Sequence, residues 1–183
     1  MVCPCAGKHL ALLVLKPGFS HLAPQVEAFV HRALRGESFR VEFDVGPPLL
    51  LSFGQVEAIW GHARGAMGQR WLAMAEYLAS GDVLPMALRA PRGLLASAPR
   101  EEFSDALRRL VGPTDPRRGG PDTLRGRYAQ VPADSQDYYR NVLHAATDPA
   151  EVAANLAALR WAPFGGAGVG AAAGVGGAAD AEG

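Results

Sequence analysis

An unbroken apolar run from Leu10 to Leu15, stopped by Lys16-Pro17-Gly18, constrains this chain most. A short run of this kind, closed by a turn signal, reads as a strand buried on both faces. It is too short to cross a membrane and is bracketed by Lys8 and Lys16. No convincing cleavage site accompanies it, so it does not read as a secretion signal. The expectation is a buried strand in a cytosolic protein.

The rest of the chain alternates between helical and extended patterning. Pro24 suits a first helical turn, Val26, Phe29, Val30, Ala33 and Leu34 make one apolar stripe, and Gly36 stops it. Phe39 to Val45 alternates apolar with polar residues and predicts a half-buried strand, broken by Gly46-Pro47-Pro48. Ser52 to Trp60 predicts a helix, with Ser52 and Gln55 spaced as a capping box. Gly61 to Gly68 is irregular, and a further helix is expected from Gln69 to Ser80 with Trp71, Leu72, Ala75 and Leu78 buried. Val83 to Leu88 is the next strand, where Pro85 points to an edge or a bulge. Glu101 and Glu102 open a helix that ends in Arg108 and Arg109, charges that match its dipole. Gly112 to Tyr139 is a long irregular segment, a length often associated with function. A short strand from Asn141 to His144 and a helix from Pro149 to Leu159 follow.

Without the middle helical insertion the order is βαββαβ. It fits an α+β, ferredoxin-like antiparallel sheet with helices on one face. The expected domain spans residues 8–160. Residues 161–183 read as a Gly/Ala-rich, disordered low-complexity tail.

Composition narrows the partners. A length of 183 residues suits one domain with a tail, and 49% hydrophobic residues supply a core. The formal net charge is zero, so no overall field recruits nucleic acid or a membrane surface. Charge is nonetheless uneven. Arg108, Arg109, Arg117, Arg118, Arg125 and Arg127 face only Asp115 and Asp122 in that stretch, a patch suited to a small polyanion or else a solvated arginine-rich loop. Cys3 and Cys5 cannot make a structural zinc site without further thiolates, and a reduced N-terminus is expected.

Val142-Leu143 places a strand-like run directly before His144. Asp148 can cap the following helix, Pro149 fits its first position and Glu151 completes a capping box. His144 is therefore expected where a strand ends and a helix begins, a place that often opens on a cleft. A packed histidine without a role is the plainer reading. Only Lys8 and Lys16 among the eighteen Lys and Arg residues are lysines. Lys16, directly after a buried strand, suits a compact ammonium in a tight pocket or a strand-end cation reaching solvent.

Three fragments then fall in order. Lys16-Pro17 follows the first strand, Gly112-Pro113-Thr114-Asp115-Pro116 precedes Pro121-Asp122-Thr123-Leu124-Arg125-Gly126, and Arg140-Asn141-Val142-Leu143-His144 precedes the last helix. From Leu10 to Leu159 the chain resembles the nucleoside diphosphate kinase family. The fragments are similar to its Lys-Pro-Asp motif, its Thr-Asn-Pro and Thr-Ile-Arg-Gly segment, and its Arg-Asn-x-x-His signature. The resemblance implies ping-pong transfer of the γ-phosphate of a nucleoside triphosphate to a nucleoside diphosphate, through a phosphohistidine at His144. It implies that Arg108, Arg125 and Thr114 bind phosphate, and that Lys16 and Asn141 contact the ribose hydroxyl and phosphate. Magnesium would come with the nucleotide, held by phosphates and water rather than by protein ligands. Arg70 or Trp71 would stack on the base, and His62 falls near a tyrosine that packs the catalytic histidine in that family.

The departures concern the surroundings of the histidine. The family's aspartate after Lys-Pro is Gly18, a hydroxyl near the histidine is lost at Ala146, and a carboxylate on the last helix falls at Asn155. The loop from Arg89 to Ala98 and the segment from Arg125 to Asn141 are longer than the family's. Two functions follow. One is an active, slow nucleoside diphosphate kinase. The alternative is a catalytically weak or inactive kinase-fold module, structural in a larger cytoskeletal or axonemal assembly. A histidine-phosphorylated regulator is not separable from these by sequence. The resemblance also implies a homo-oligomer, to which Pro116 contributes. The expected location is the cytoplasm, with cytoskeletal or ciliary association under the alternative; neither nucleic acid nor membrane is an expected partner.

Overall fold

The computed structural model describes residues 10–36, 39–90, 100–129, 131 and 137–165. The apolar run is strand β1 (Leu10–Leu15), in which Leu12, Leu13, Val14 and Leu15 are wholly buried. It lies antiparallel between β4 (Asp82–Arg89) and β5 (Leu143–Ala146). β2 (Glu42–Val45) pairs with the far side of β4, and the short β3 (Leu49–Leu50) pairs with the start of β4. The strand order β2-β4-β1-β5 is that of an antiparallel ferredoxin-like sheet.

Two apolar layers explain the burial of β1. Ala11, Leu13 and Leu15 face α1 (Ala23–Gly36) and α5 (Arg100–Val111), meeting Val26, Val30, Leu34, Phe103 and Leu107. Leu12 and Val14 face the opposite layer. It is built from α2 (Phe53–Trp60), the one-turn α3 (Arg64–Met67), α4 (Trp71–Ala79) and α7 (Pro149–Leu159), through Val56, Ile59, Trp60, Met67, Leu78, Val152 and Leu159. Each large apolar side chain buried this way contributes about 1.5–3 kcal/mol. The expectation of helices on one face holds for the crossover helices α1 and α5 and is corrected for the whole sheet. A strand with apolar residues at every position needs cover on both sides, and the middle insertion with α7 supplies it.

Several local readings shift. Pro85 pairs with Val14 of β1, and on its other side it lies where the register shifts by one residue between β2 (Val45 opposite Met86) and β3 (Leu49 opposite Val83), the bulge-like break that a proline in this strand suggests. Its carbonyl accepts from the Gly46 amide at 2.9 Å, just past the end of β2, so the donor that proline lacks falls where the ladder has stopped. The residues from Gly61 to Gly68 are mostly helical turns: a short 3-10 helix at Gly61–Ala63 precedes α3. Gly112 to Tyr139 is not wholly irregular, because Pro116–Arg118 forms a 3-10 turn and Leu124–Tyr128 forms α6. The last strand begins two residues later than its apolar run suggests, which places His144 within β5, opposite Val14. After α7 the chain turns at Arg160 (φ 53°) and packs back. Trp161 lies against Gly46, the Arg89 guanidinium sits 4.2 Å over the Phe164 ring, and the Phe164 amide bonds the Asp44 carboxylate. The packed chain thus runs past residue 160 to Gly165. Cys3, Cys5, the loop after Arg89 and the tail beyond Gly165 lie outside the described residues.

Candidate active site

His144 projects from β5 into the layer of α2 and α7 and is buried. Two helices fix its ring. Trp60, at the end of α2, meets it edge-on with centroids 5.3 Å apart. On α7, the Asn155 amide nitrogen lies 3.0 Å from Nε2 and the Glu151 carboxylate 3.6 Å from it. His62 lies 6.5 Å from the ring, centroid to centroid, and is exposed. Burial first, then the charges of Lys16, Arg125 and His62, lower the His144 pKa to about 3, so the imidazole is neutral at physiological pH. A neutral imidazole keeps one nitrogen as an acceptor and nucleophile.

The three sequence fragments converge on this strand. Lys16 closes β1 and is buried, its Nζ donating to the Tyr139 carbonyl at 2.6 Å and to Asn141 Oδ1 at 3.0 Å. Asn141 in turn donates from Nδ2 to the Thr114 carbonyl at 2.8 Å, tying the loop after α5 to the strand that carries His144. Burial, reinforced by Arg125, lowers the Lys16 pKa to about 7. Gly18 has φ 86° in a turn where the Phe19 amide returns to the Lys16 carbonyl at 3.1 Å, a conformation that favours glycine over the aspartate of the related motif.

Arg125 is the second cation. Its guanidinium donates to the Leu143 carbonyl twice at 3.2 Å and to the Gly112 carbonyl at 2.9 Å. Burial lowers its pKa to about 10, which leaves it charged near neutrality. With three of five N–H groups engaged, two remain for an anion. Its helix, α6, is capped by the Thr123 hydroxyl, which accepts from the Gly126 amide at 3.1 Å. A Cβ at Gly126 would run into the Gly119 and Gly120 carbonyl oxygens, so the glycine lets this turn close.

The remaining expected residues are placed less favourably. Arg108 is exposed on the last turn of α5 and paired with Asp105 at 3.0 Å. Thr114 is exposed, with its carbonyl taken by Asn141. Trp71 is buried in the α2–α4 layer with the Arg64 guanidinium 5.8 Å over its ring, so it does not present a free face for a base. Arg70 is half-buried in the preceding turn. Sequence reading missed Trp60, which closes over His144 where His62 was expected. Its signal was the buried spacing Val56, Ile59, Trp60 on α2. It also assigned Glu151 to a capping box. The cap is made by Asp148 alone, which accepts from the Ala150 and Glu151 amides at 2.9 and 3.2 Å, while the Glu151 carboxylate turns towards His144.

Among the described residues no group of three His, Cys, Asp or Glu side chains could hold a metal ion. No described helix is long and apolar enough to cross a membrane.

Comparison with known proteins follows the same line. No family model matches the chain. A nucleoside diphosphate kinase of Moorella thermoacetica is 33% identical over 84 residues, 46% of this chain and 49% of that protein. One from Ignicoccus hospitalis is 30% identical over 83 residues, 45% of this chain and 46% of that protein. The chain thus matches about half the length of these relatives. A solved halophilic nucleoside diphosphate kinase of Halobacterium salinarum, in complex with CDP, superimposes with a TM-score of 0.61. That match covers 83% of this chain and 87% of the other at 15% identity, a likeness of fold.

Proposed function

We propose that this chain, a divergent member of the nucleoside diphosphate kinase family, transfers the terminal phosphoryl group of a nucleoside triphosphate to a nucleoside diphosphate through His144. The observation that carries the reading is the convergence of Lys16, Asn141, Thr114 and Arg125 on the strand bearing a neutral, buried histidine. Phosphoryl transfer asks for positioning and for charge on the phosphoryl oxygens more than for acid–base help. Lys16 and Arg125 supply that charge. Asn141 and Thr114 are the positions for the ribose hydroxyl and a phosphate, and Arg108 can leave its exposed pair with Asp105 to meet another. The donor set is cationic and fits phosphate oxygens, so magnesium would arrive with the nucleotide, held by phosphates and water. When bound, it would neutralise phosphate charge during transfer.

Base recognition differs from the related motif. Trp71 has its ring covered by Arg64, which favours loose stacking from Arg70 or none. The same observation supports a second reading, a kinase-fold module that binds nucleotide weakly and serves a protein assembly. Homo-oligomerisation belongs to the first reading, and cytoskeletal or ciliary association to the second.

The test is incubation with γ-labelled ATP and magnesium. An acid-labile, base-stable label on the wild type, absent from His144→Ala, is the expected result. A label retained by folded His144→Ala would overturn the assignment. No label on folded wild type, with a tight protein partner recovered, would favour the second reading.

A further inference from the structure

His62 stands on the short 3-10 turn Gly61–Ala63 that leaves α2, two residues after Trp60. That turn is anchored on its inner side. Trp60 is buried against the His144 ring, Ala63 packs on the same apolar layer, and the Arg64 amide returns to the Gly61 carbonyl. With its neighbours held inward, His62 is left exposed at the rim, its ring 6.5 Å from that of His144 and tilted 41° to it. Among the described residues no hydrogen bond or ion pair engages the His62 side chain. We propose that His62 is a second phosphate-contacting histidine, donating a hydrogen bond to the phosphoryl group as it passes between nucleotide and His144; this rests on the phosphotransfer reading above.

Spacing supports the contact. A direct hydrogen bond between the rings needs heavy atoms roughly 2.7–3.2 Å apart, and none joins them. The gap between the rings leaves room for a phosphoryl oxygen. Donor supply points the same way. Three groups bring positive charge to bear on His144: Lys16 at the end of β1, Arg125 on α6, and His62. Lys16 already donates to Tyr139 and Asn141, and Arg125 to Leu143 and Gly112. His62 has no such commitment. Either tautomer of a neutral imidazole keeps one N–H and the protonated ring has two, so a donor is present in every state. The charged groups around it are His144 on β5 and Glu151 on α7, a carboxylate that also feels Arg108 of α5.

The chemistry gives this donor its use. In the transfer a lone pair of the His144 ring forms the bond to phosphorus. The bond from phosphorus to the diphosphate oxygen breaks, and that oxygen keeps the electron pair. Both imidazoles keep the protons they hold. Charge on the non-bridging phosphoryl oxygens is what a donor placed beside the path can stabilise. His62 forms no covalent bond, so the label still depends on His144 alone.

The experiment compares the whole chain with its His62→Ala and His62→Gln variants, using γ-labelled ATP and magnesium. The maximal labelling rate of His62→Ala should fall about tenfold to a hundredfold, at the low end for loss of a preorganised donor because this ring is exposed. His62→Gln keeps an N–H donor and should recover part of that loss. Urea midpoints of both variants should match wild type. A wild-type rate in His62→Ala, no recovery in His62→Gln, or a lowered midpoint that accounts for the loss would overturn the proposal. A second measurement does not need turnover: nitrogen-15 spectra of wild type titrated with a non-hydrolysable ATP analogue and magnesium. The His62 imidazole signals should shift, and signals unchanged throughout the titration would overturn the proposal. Folded wild type that takes no label while His62 shifts would remove the phosphotransfer reading and leave the phosphate contact standing.

Discussion

Arg125 donates from Nε and from a terminal nitrogen to the carbonyl of Leu143, each at 3.2 Å, so the residue beside His144 is held by a half-buried guanidinium. The same group reaches the Gly112 carbonyl at 2.9 Å and joins α5's end to β5. Arg125→Ala leaves both acceptors without a donor and is expected to lower stability by roughly 1–3 kcal/mol in urea denaturation. Arg125→Lys should recover only part of this, because an ammonium cannot span two carbonyls as a planar fork does.

His144 links stability to pH. Its folded pKa of about 3 lies below the ordinary value of about 6.5. Between these values the unfolded chain holds a proton that the folded chain refuses, so stability is full above about 6.5 and falls as pH drops towards 3. Denaturation midpoints of His144→Gln across that window should show a shallower slope than wild type. An equal slope would mean that other groups carry the acid sensitivity.

Lys16 should make phosphate binding a proton-coupled event. With its pKa lowered to about 7, much of the amine is neutral at pH 8. An anion beside it favours the charged form, so a nucleoside diphosphate should bind with proton uptake at that pH. Calorimetry in buffers of different ionisation enthalpy reads this directly, and Lys16→Met should abolish it. For folding the sign is similar: between about 7 and the ordinary value near 10.4 the unfolded chain binds the extra proton, and stability rises with pH through that window.

Trp60 couples the core to the histidine. It is buried among Val56, Ile59 and Leu12 while its ring edge meets His144. Trp60→Ala is expected to cost about 3–5 kcal/mol in thermal or urea unfolding. Trp60→Phe should cost less and preserve the edge contact. Equal losses for the two would show that a phenyl ring restores neither the packing nor the edge contact.

The fold was largely legible because hydrophobic period and punctuation agree along the chain. The run Leu10–Leu15, the stripe on α1, the Ser52–Gln55 capping box and the Asp148-Pro149 start of α7 all appear where their residues indicate. The second helical layer was not read, because an all-apolar strand reports burial on both faces without naming what covers the second. The site divides in the same way. His144, Lys16, Asn141 and Arg125 stand in fragments of fixed spacing and converge. Trp60 meets His144 across elements distant in sequence, while Glu151, on the helix that directly follows the strand of His144, satisfied a local capping pattern that drew its reading elsewhere. Trp71 shows the opposite failure: its position suited a base, but its ring was claimed by the core and by Arg64.

The most direct measurement isolates protein labelled with γ-labelled ATP, removes the nucleotide, and adds GDP with magnesium. Group transfer through His144 predicts that the label leaves the protein and appears quantitatively as GTP. A stable label that no nucleoside diphosphate can collect, or a folded protein that takes up none, would contradict it.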